Sequence, residues 1–435
     1  MWIIQVLKTH KATIMIKVWK NFLYAPILLM VSTLPSQSQD NFPEFSVTAF
    51  VDARISHSRG ELGWLDGGYG KTRYGTDANG NEKTRLNLAE ASLLFETKFN
   101  WELSSFVHVK FDPEQKNDID VVEVYLSYNK LMDSGYRTKA RLGTFYPHIS
   151  LENTDIAWTS PYSITSSAIN SWIGEEIKTT GLELFLEKEL EQHAISVTVG
   201  LFGFNDPAGT LLAFRGWALQ DSKTTIFGQF PLPPVHSIGP NGKLAVQDPY
   251  VVPHLEVDNK IGYYGGLSWE YFGYFSLNGL YYNNRGDREA VIGGQYGWET
   301  EFLNIGLSVD LFEDIEIFGQ FLNGNTKMGG LVHGEIAIDT DYDSFYILAS
   351  KTFDKHRISI RFDDFSVSDN TLVYYDNNNE TGHSWMVAYS VDLFDQQRLM
   401  LEFLHVNSDR ANRAEHGFAT QSKENLIQAS YRITF

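Results

Sequence analysis

Along most of the chain, apolar and polar residues alternate one for one over stretches of about ten residues, bounded by Gly, Asn and Asp. Strand side chains point to opposite faces with a period of two, so each stretch predicts a β-strand with one greasy and one wet face. In residues 45–57, Phe45, Val47, Ala49, Val51, Ala53 and Ile55 share a face, against Ser46, Thr48, Asp52, Arg54 and Ser56. In 101–112, Trp101, Leu103, Val107, Val109 and Phe111 oppose Glu102, His108, Lys110 and Asp112. The last segment, 427–435, sets Ile427, Ala429, Tyr431, Ile433 and Phe435 against Gln428, Ser430, Arg432 and Thr434.

Marking every such run predicts strands at 45–57, 84–99, 101–112, 119–130, 138–146, 179–190, 193–204, 261–271, 273–283, 299–312, 314–323, 344–354, 355–366, 384–394, 398–408 and 424–435. The connections between them alternate in length. Tight turns fall around residues 100, 131–137, 191–192, 272, 313, 354 and 395–397. Longer connections fall at 58–83, 113–118, 147–178, 205–260, 284–298, 324–343, 367–383 and 409–423. All the long ones therefore lie at one end. The expected fold is all-β: a transmembrane antiparallel β-barrel of about sixteen strands, with short periplasmic turns and long extracellular loops. A terminal amphipathic strand ending on an aromatic residue suits closure of such a cylinder, so Tyr431, Ile433 and Phe435 are the candidate C-terminal assembly signal. A secreted carbohydrate-binding β-protein would share the composition, but has no physical reason to keep its long loops on one side.

Composition narrows the partners. The chain has 435 residues, no cysteine and a formal net charge of −19. Disulfide frameworks and thiolate metal sites are excluded, and nucleic-acid phosphate is a poor partner. The mean hydropathy of −0.24 is too polar for a bundle of membrane helices but suits a barrel, in which only alternate residues face lipid. Residues 21–34 form an apolar run preceded by Lys17 and Lys20 and followed by Pro35 and Ser36-Gln37-Ser38. This pattern predicts an export signal over 1–38, with Met15 where an ordinary signal would begin, and a barrel over 39–435. Removing Lys8, Lys11, Lys17 and Lys20 takes the 35 basic residues to 31 against 54 acidic, a charge of −23.

Two adjacent stretches carry a resemblance. Glu123-Val124-Tyr125-Leu126-Ser127-Tyr128 is similar to an acidic-x-Tyr-x-x-Tyr strand. Arg141-Leu142-Gly143-Thr144-Phe145-Tyr146-Pro147 is similar to an Arg-x-Gly-x-Phe-x-Pro pattern that ends a strand and opens the third long loop. Both resemble the outer-membrane porin superfamily, and within it the phosphate-selective porin O and P type. The match covers about 30 residues at motif level, with the strand layout and Phe435 agreeing over the rest. His148 and Ser150 stand where that family often has a second Pro and a Gly. The resemblance implies a homotrimeric outer-membrane channel whose third loop, 147–178, folds inward to narrow the lumen. Phosphate specificity in that family is attributed to a run of basic residues. Here the third loop carries Glu152, Asp155, Glu175 and Glu176 against Lys178 alone.

Alternation places Asp52, Arg54, Glu90, Glu96, Lys98, Glu102, Lys110, Glu123, Lys139 and Arg141 on the wet face, as candidate pore-lining charges. A one-residue slip would reverse any strand. The loop residues Glu152, Asp155, Glu175, Glu176 and Lys178 are the candidate constriction. Its carboxylates are expected to oppose Arg54, Lys98, Lys110, Lys139 and Arg141, a transverse field that passes small polar solutes. The acid excess predicts mild cation preference if it extends into the pore. The acids Asp339, Asp341, Asp343, Asp363, Asp364 and Asp376 are expected on outer loops facing lipopolysaccharide.

No catalytic, cofactor or metal site is expected. Gly67-Gly68-Tyr69-Gly70-Lys71-Thr72 is similar to a phosphate-binding loop, but Leu65 occupies the first glycine position and no helix pattern follows. Asp77, Asn79 and Asn81 begin like a calcium loop, yet Leu88 stands where the bidentate acid belongs. The expected function is passive passage of small hydrophilic solutes or ions through the bacterial outer membrane, whose lipid and lipopolysaccharide are the other partners. The competing readings are a surface receptor or adhesin, with 205–260 as its platform, and a membrane-embedded hydrolase.

Overall fold

The computed structural model describes residues 42–312, 314–332, 334–371 and 377–435; the expected signal segment and Asp376 lie outside these. Sixteen strands close into one antiparallel barrel. They are β1 (Glu44–Arg59), β2 (Lys83–Lys98), β3 (Leu103–Phe111), β4 (Ile119–Leu131), β5 (Tyr136–Phe145), β6 (Thr179–Leu190), β7 (His193–Gly203) and β8 (Gly262–Tyr271). The circuit continues through β9 (Phe275–Asn283), β10 (Glu299–Phe312), β11 (Ile315–Val332), β12 (Glu335–Phe353), β13 (His356–Asp369), β14 (Glu380–Phe394), β15 (Gln397–Arg410) and β16 (Gln421–Thr434). Each strand pairs with its sequence neighbour. The seam closes between β1 and β16, from Phe50 opposite Thr434 to Arg59 opposite Asn425. Phe435 extends that seam, its N–H donating to the Ala49 carbonyl at 2.8 Å and its carbonyl accepting from Ala49 N–H at 3.2 Å. Pairing β1 with β16 closes the barrel so that its sheet has no open side, which a sheet immersed in lipid requires.

The outer face divides into bands. Leu184, Ile305, Leu307, Ile347, Ile358, Ile360, Val387 and Leu401 are all exposed, each a single step of the alternation from a buried neighbour. Toward the long-loop end this apolar band finishes in Phe321, Phe345, Phe362, Trp385 and Phe403. Phe362 packs 4.7 Å from Trp385 between ring centroids. One outward step further, the same strands switch to Asn323, Asp343, Asp364, His383 and His405. At the short-turn end Trp101, Trp269, Tyr274, Phe353 and Phe394 form a second aromatic ring. Two aromatic girdles flanking an apolar band are how a barrel matches the two interfaces of a bilayer.

Two bulges decide which charges enter the lumen. Asp52 pairs with Glu90 but Ala53 pairs with Leu88, so Ala89 is skipped. As a result Leu86 points out at 77% exposed, while Glu90, of the same parity, points in at 5%. A second bulge at His108 and Val109 skips Val122 and turns both Asp120 and Glu123 inward.

Two expectations are corrected. Residues 324–343 are not a long connection: β11 and β12 continue as a paired hairpin with Asn325 opposite Asp341 and Lys327 opposite Asp339. Above the bilayer the outward face has no reason to be apolar, so the strand persists after its hydrophobic alternation stops. For the same reason Asp339, Asp341, Asp343 and Asp364 stand on strands rather than loops; Asp363, also on a strand, faces the lumen and is fully buried. Connection 205–260 turns inward in part. Its residues 208–225 are almost all buried inside the barrel.

Candidate functional site

Three connections turn inward: loop 1 (60–82), loop 3 (146–178) and loop 4 (204–261). Loop 3 carries a helix, α1 (Ala168–Glu176), every residue of which is buried. Ser167 caps it, the Oγ accepting from Asn170 N–H at 3.2 Å. Trp172 is the wedge, with ring centroids 5.4 Å from Phe302, 5.3 Å from Tyr342 and 6.0 Å from Trp217 of loop 4. Around it the inner wall from β8 to β15 contributes an apolar cluster of Tyr264, Tyr282, Leu322, Tyr346, Met386 and Leu404, all buried, beside buried polar residues such as Gln320, Arg361 and Glu402. One side of the lumen is therefore a packed hydrophobic core between wall and loops.

The constriction residues sit elsewhere than across water from the wall bases. Glu152 is fully buried and bonds Arg361 of β13, whose Nε also meets Asp363 at 2.9 Å. The other guanidinium nitrogens donate to the carbonyls of Thr165 at 2.8 Å and Ser166 at 3.0 Å. Glu175 takes a bidentate pair from Arg215 of loop 4, at 2.7 and 2.6 Å. Burial raises the Glu175 carboxyl against the pull of that guanidinium. Glu176 accepts from Trp172 Nε1 at 2.7 Å, Gly209 N–H at 3.0 Å and Leu211 N–H at 2.9 Å. Burial outweighs these donors and pushes it up to about 7. Lys178 donates to the Thr224 carbonyl; burial brings it down to about 7, with Glu123 opposing. Two of the four loop acids therefore meet wall cations: Glu152 meets Arg361, and Asp155 meets Arg432 and Arg398.

The wall residues divide by depth. Asp52, Arg54, Lys110 and Glu123 are buried on the inner face. Arg54 bonds Asp52 and Asp221, while Lys110 bonds Asp112 at 3.1 Å. Glu123 accepts from Tyr146 N–H at 3.1 Å. Arg141 is part-buried, 2.7 Å from Glu183, its guanidinium over Phe145. Glu96, Lys98 and Lys139 are exposed toward the short-turn end. There Lys98 lies 3.9 Å from Glu44, and Lys139 over the Phe185 ring.

The side of the lumen away from α1 is polar, and its charges join into one alternating ladder. From the long-loop side, Glu114 meets Arg73 of loop 1 at 2.8 Å, and Arg73 meets Asp221 of loop 4 at 3.1 Å. Asp221 meets Arg54 at 2.8 Å, and Arg54 meets Asp52 at 2.8 Å. Asp52 lies 3.8 Å from Arg432, which lies 3.8 Å from Asp155; Asp155 lies 3.4 Å from Arg398, which pairs with Asp392 at 2.7 Å. Burial raises the Asp221 carboxyl, but Arg54 and Arg73 outweigh it and hold the acid well below its usual range. A side branch joins Lys223 to Glu90 at 2.7 Å beside His108. The ladder begins at part-exposed Glu114 and ends in a cavity of about 440 Å³ at the short-turn mouth, lined by Asp155, Asp392, Arg398 and Arg432.

No family model matches the chain, and no curated protein sequence does. Solved structures do. The outer membrane channel DcaP of Acinetobacter baumannii superposes with a TM-score of 0.56 at 10% identity, over 92% of this chain and 100% of that one. The outer membrane protein OmpT of Vibrio cholerae, in a loop L8 deletion mutant, superposes at 0.51 and 10% identity, over 90% of this chain and 99% of that one. At these identities the likeness is one of fold.

Sequence reasoning missed Arg361, Arg73, Arg215, Asp221, Arg398 and Arg432. For Arg361 and Asp363 a signal existed: Ile358, Ile360 and Phe362 mark the lipid face, which puts both on the inner one. Arg398 and Arg432 had the same parity signal. Loop residues 73, 215 and 221 carry no periodicity, and nothing local to them points inward.

Phosphate-loop-like Lys71 and Thr72 are part of the same packing. The Lys71 ammonium pairs with Glu380, and its backbone N–H donates to Glu424 at 2.8 Å. Burial lowers Lys71 to about 8 against the attraction of Glu380.

Proposed function

We propose that this chain is a porin-type channel of the bacterial outer membrane, passing small hydrophilic solutes or ions without chemical change. One observation carries the reading: a closed, lipid-banded cylinder contains a continuous ladder of charged side chains from the long-loop side to the opposite mouth. The route runs along the polar seam between loop-4 residues 221–225 and the wall of β1 to β5. Charges there can trade protein partners for water and solute, whereas parting α1 from its apolar wall would expose a hydrophobic core. Loops 3 and 4 then act as the gate, their acids spent on holding the loops in place.

Assembly as a homotrimer amid lipopolysaccharide fits the resemblance in Glu123 to Tyr128 and Arg141 to Pro147. The phosphate-selective O and P type is the finer alternative. A ladder alternating in sign favours weak ion selectivity instead, because each cation on the route has an acid beside it. The buried acids and bases are held in ion pairs and backbone hydrogen bonds, which suits positioning rather than catalysis.

Planar-bilayer conductance of the purified protein tests the reading. Stable open steps with a reversal potential near zero in a salt gradient are expected. A protein that inserts and yields no steps refutes it, and strong anion selectivity would favour the phosphate-selective type.

A further inference from the structure

The ladder ends in a cavity rather than in bulk solvent. Asp155, Arg432, Arg398 and Asp392 line the cavity of about 440 Å³ at the short-turn mouth, with Asp354 and Lys355 from the β12–β13 turn. These ladder members are reachable: Arg398 is 30% exposed, Asp155 33% and Asp392 50%. Deeper in the ladder Arg54 and Asp52 are buried to 3% and 2%. The Asp155 contacts, 3.4 Å to Arg398 and 3.8 Å to Arg432, are longer than the 2.7–2.9 Å of a charge-assisted hydrogen bond. The Asp155 Oδ1 accepts from Ile156 N–H at 2.8 Å, while the solvent-reachable Oδ2, held loosely between two guanidiniums, can exchange partners with an incoming solute. The volume lies in the lower range of small-molecule pockets.

Both signs of charge share this small space. A singly charged ligand would satisfy one set of groups while facing its like-charged neighbours. A ligand carrying both charges replaces each broken ion pair with a new one. We infer that this cavity binds a small zwitterion of the amino-acid or dipeptide class, its carboxylate on Arg398 and Arg432 and its ammonium on Asp155. Ile156 supplies apolar lining for the ligand's carbon skeleton. This deepens the channel reading and rests on it for its purpose, since the cavity would be the waiting site at the foot of the ladder. Its occupancy can be measured without any current.

The test is isothermal titration of the full-length protein in detergent at low ionic strength, with three probes of similar size: zwitterionic glycylglycine, anionic N-acetylglycine and cationic glycinamide. Glycylglycine is expected to bind at least ~5-fold more tightly than either other probe, the scale of one part-exposed charge pair. Asp155→Asn should remove most of that preference by weakening glycylglycine and sparing N-acetylglycine. Asp392→Asn, on the barrel wall and outside loop 3, serves as the second variant. By freeing Arg398 from its 2.7 Å partner it should tighten the carboxylate probes, narrowing glycylglycine's lead over N-acetylglycine with loop 3 unmutated, and heat-modifiable gel migration checks that both variants stay folded. No measurable glycylglycine binding, or a preference below ~5-fold, overturns the inference. Binding without conductance would sink the channel reading and leave this site standing, whereas conductance without the preference does the reverse.

Discussion

Arg361→Met removes the one cation that lies between Glu152 of loop 3 and Asp363 of β13. Arg361 is fully buried and bonds both carboxylates and two loop carbonyls, those of Thr165 and Ser166. Its loss leaves two buried acids without a counter-charge. Breaking a buried pair in this way costs about 3–5 kcal/mol. The barrel itself is little touched, because β13 keeps its ladders to β12 and β14 from His356 to Asp369. The cost therefore falls on docking of loop 3, and it corresponds to roughly a 100-fold or greater rise in the loop's opening equilibrium. Hydrogen exchange followed by mass spectrometry reads this directly. Amides of residues 163–178 should lose roughly 100-fold of protection while those of β12 to β14 keep theirs. The triple variant Glu152→Gln, Arg361→Met, Asp363→Asn, which removes the stranded charges, should recover most of it. Unchanged protection in Arg361→Met would refute the claim that this cluster pins the loop.

Other consequences follow from the same geometry. Trp172→Ala should cost about 3–5 kcal/mol of loop docking by opening a cavity among Phe302, Tyr342 and Trp217, seen as faster exchange in loop 3 and longer open times in bilayer recordings. Loop docking should be weakest near pH 7. Glu176, raised to about 7, favours the docked state when protonated, an advantage full below about 4.5 and lost as pH rises to 7. Lys178, lowered to about 7, favours it when neutral, an advantage that grows from 7 toward 10.5. Exchange protection of loop 3 at pH 5, 7 and 9 checks both limbs. Ile347→Arg in the apolar band should destabilise the folded barrel in bilayers by about 2–4 kcal/mol, and Asp343→Arg above the upper girdle by about 0–1, by urea titration in vesicles. Deleting Phe435 removes the last backbone pair to Ala49 and should lower the yield of membrane-inserted protein on heat-modifiability gels.

Strand number, antiparallel order and the lipid-facing side were legible because they are local. A strand bathed in lipid on one face must alternate, and Ile305, Leu307 and Leu401 record that rule in the chain itself. The rule lapses where the constraint does, so the polar ends of β11 and β12 looked like a loop. The wall charges Asp52, Arg54 and Arg361 follow from parity. Even there, the bulge at Ala89 that turns Glu90 inward depends on pairing with β1. The partners of those charges were not legible. Arg54 and Asp221 are 167 residues apart, and Arg361 and Glu152 are 209 apart. Loops 1, 3 and 4 obey no period, and the side of the lumen each one packs against is chosen by the assembled wall. The apolar cluster from Tyr264 to Leu404 captures α1, while Asp221 and Lys223 reach Arg54 and Glu90 on β1 and β2. The sequence alone thus determined the cylinder and its outward face, through a constraint each strand meets by itself. The filling of its interior, and with it the ladder and its terminal cavity, required sixteen strands to be in place first, because burial and ion pairing act between segments distant along the chain.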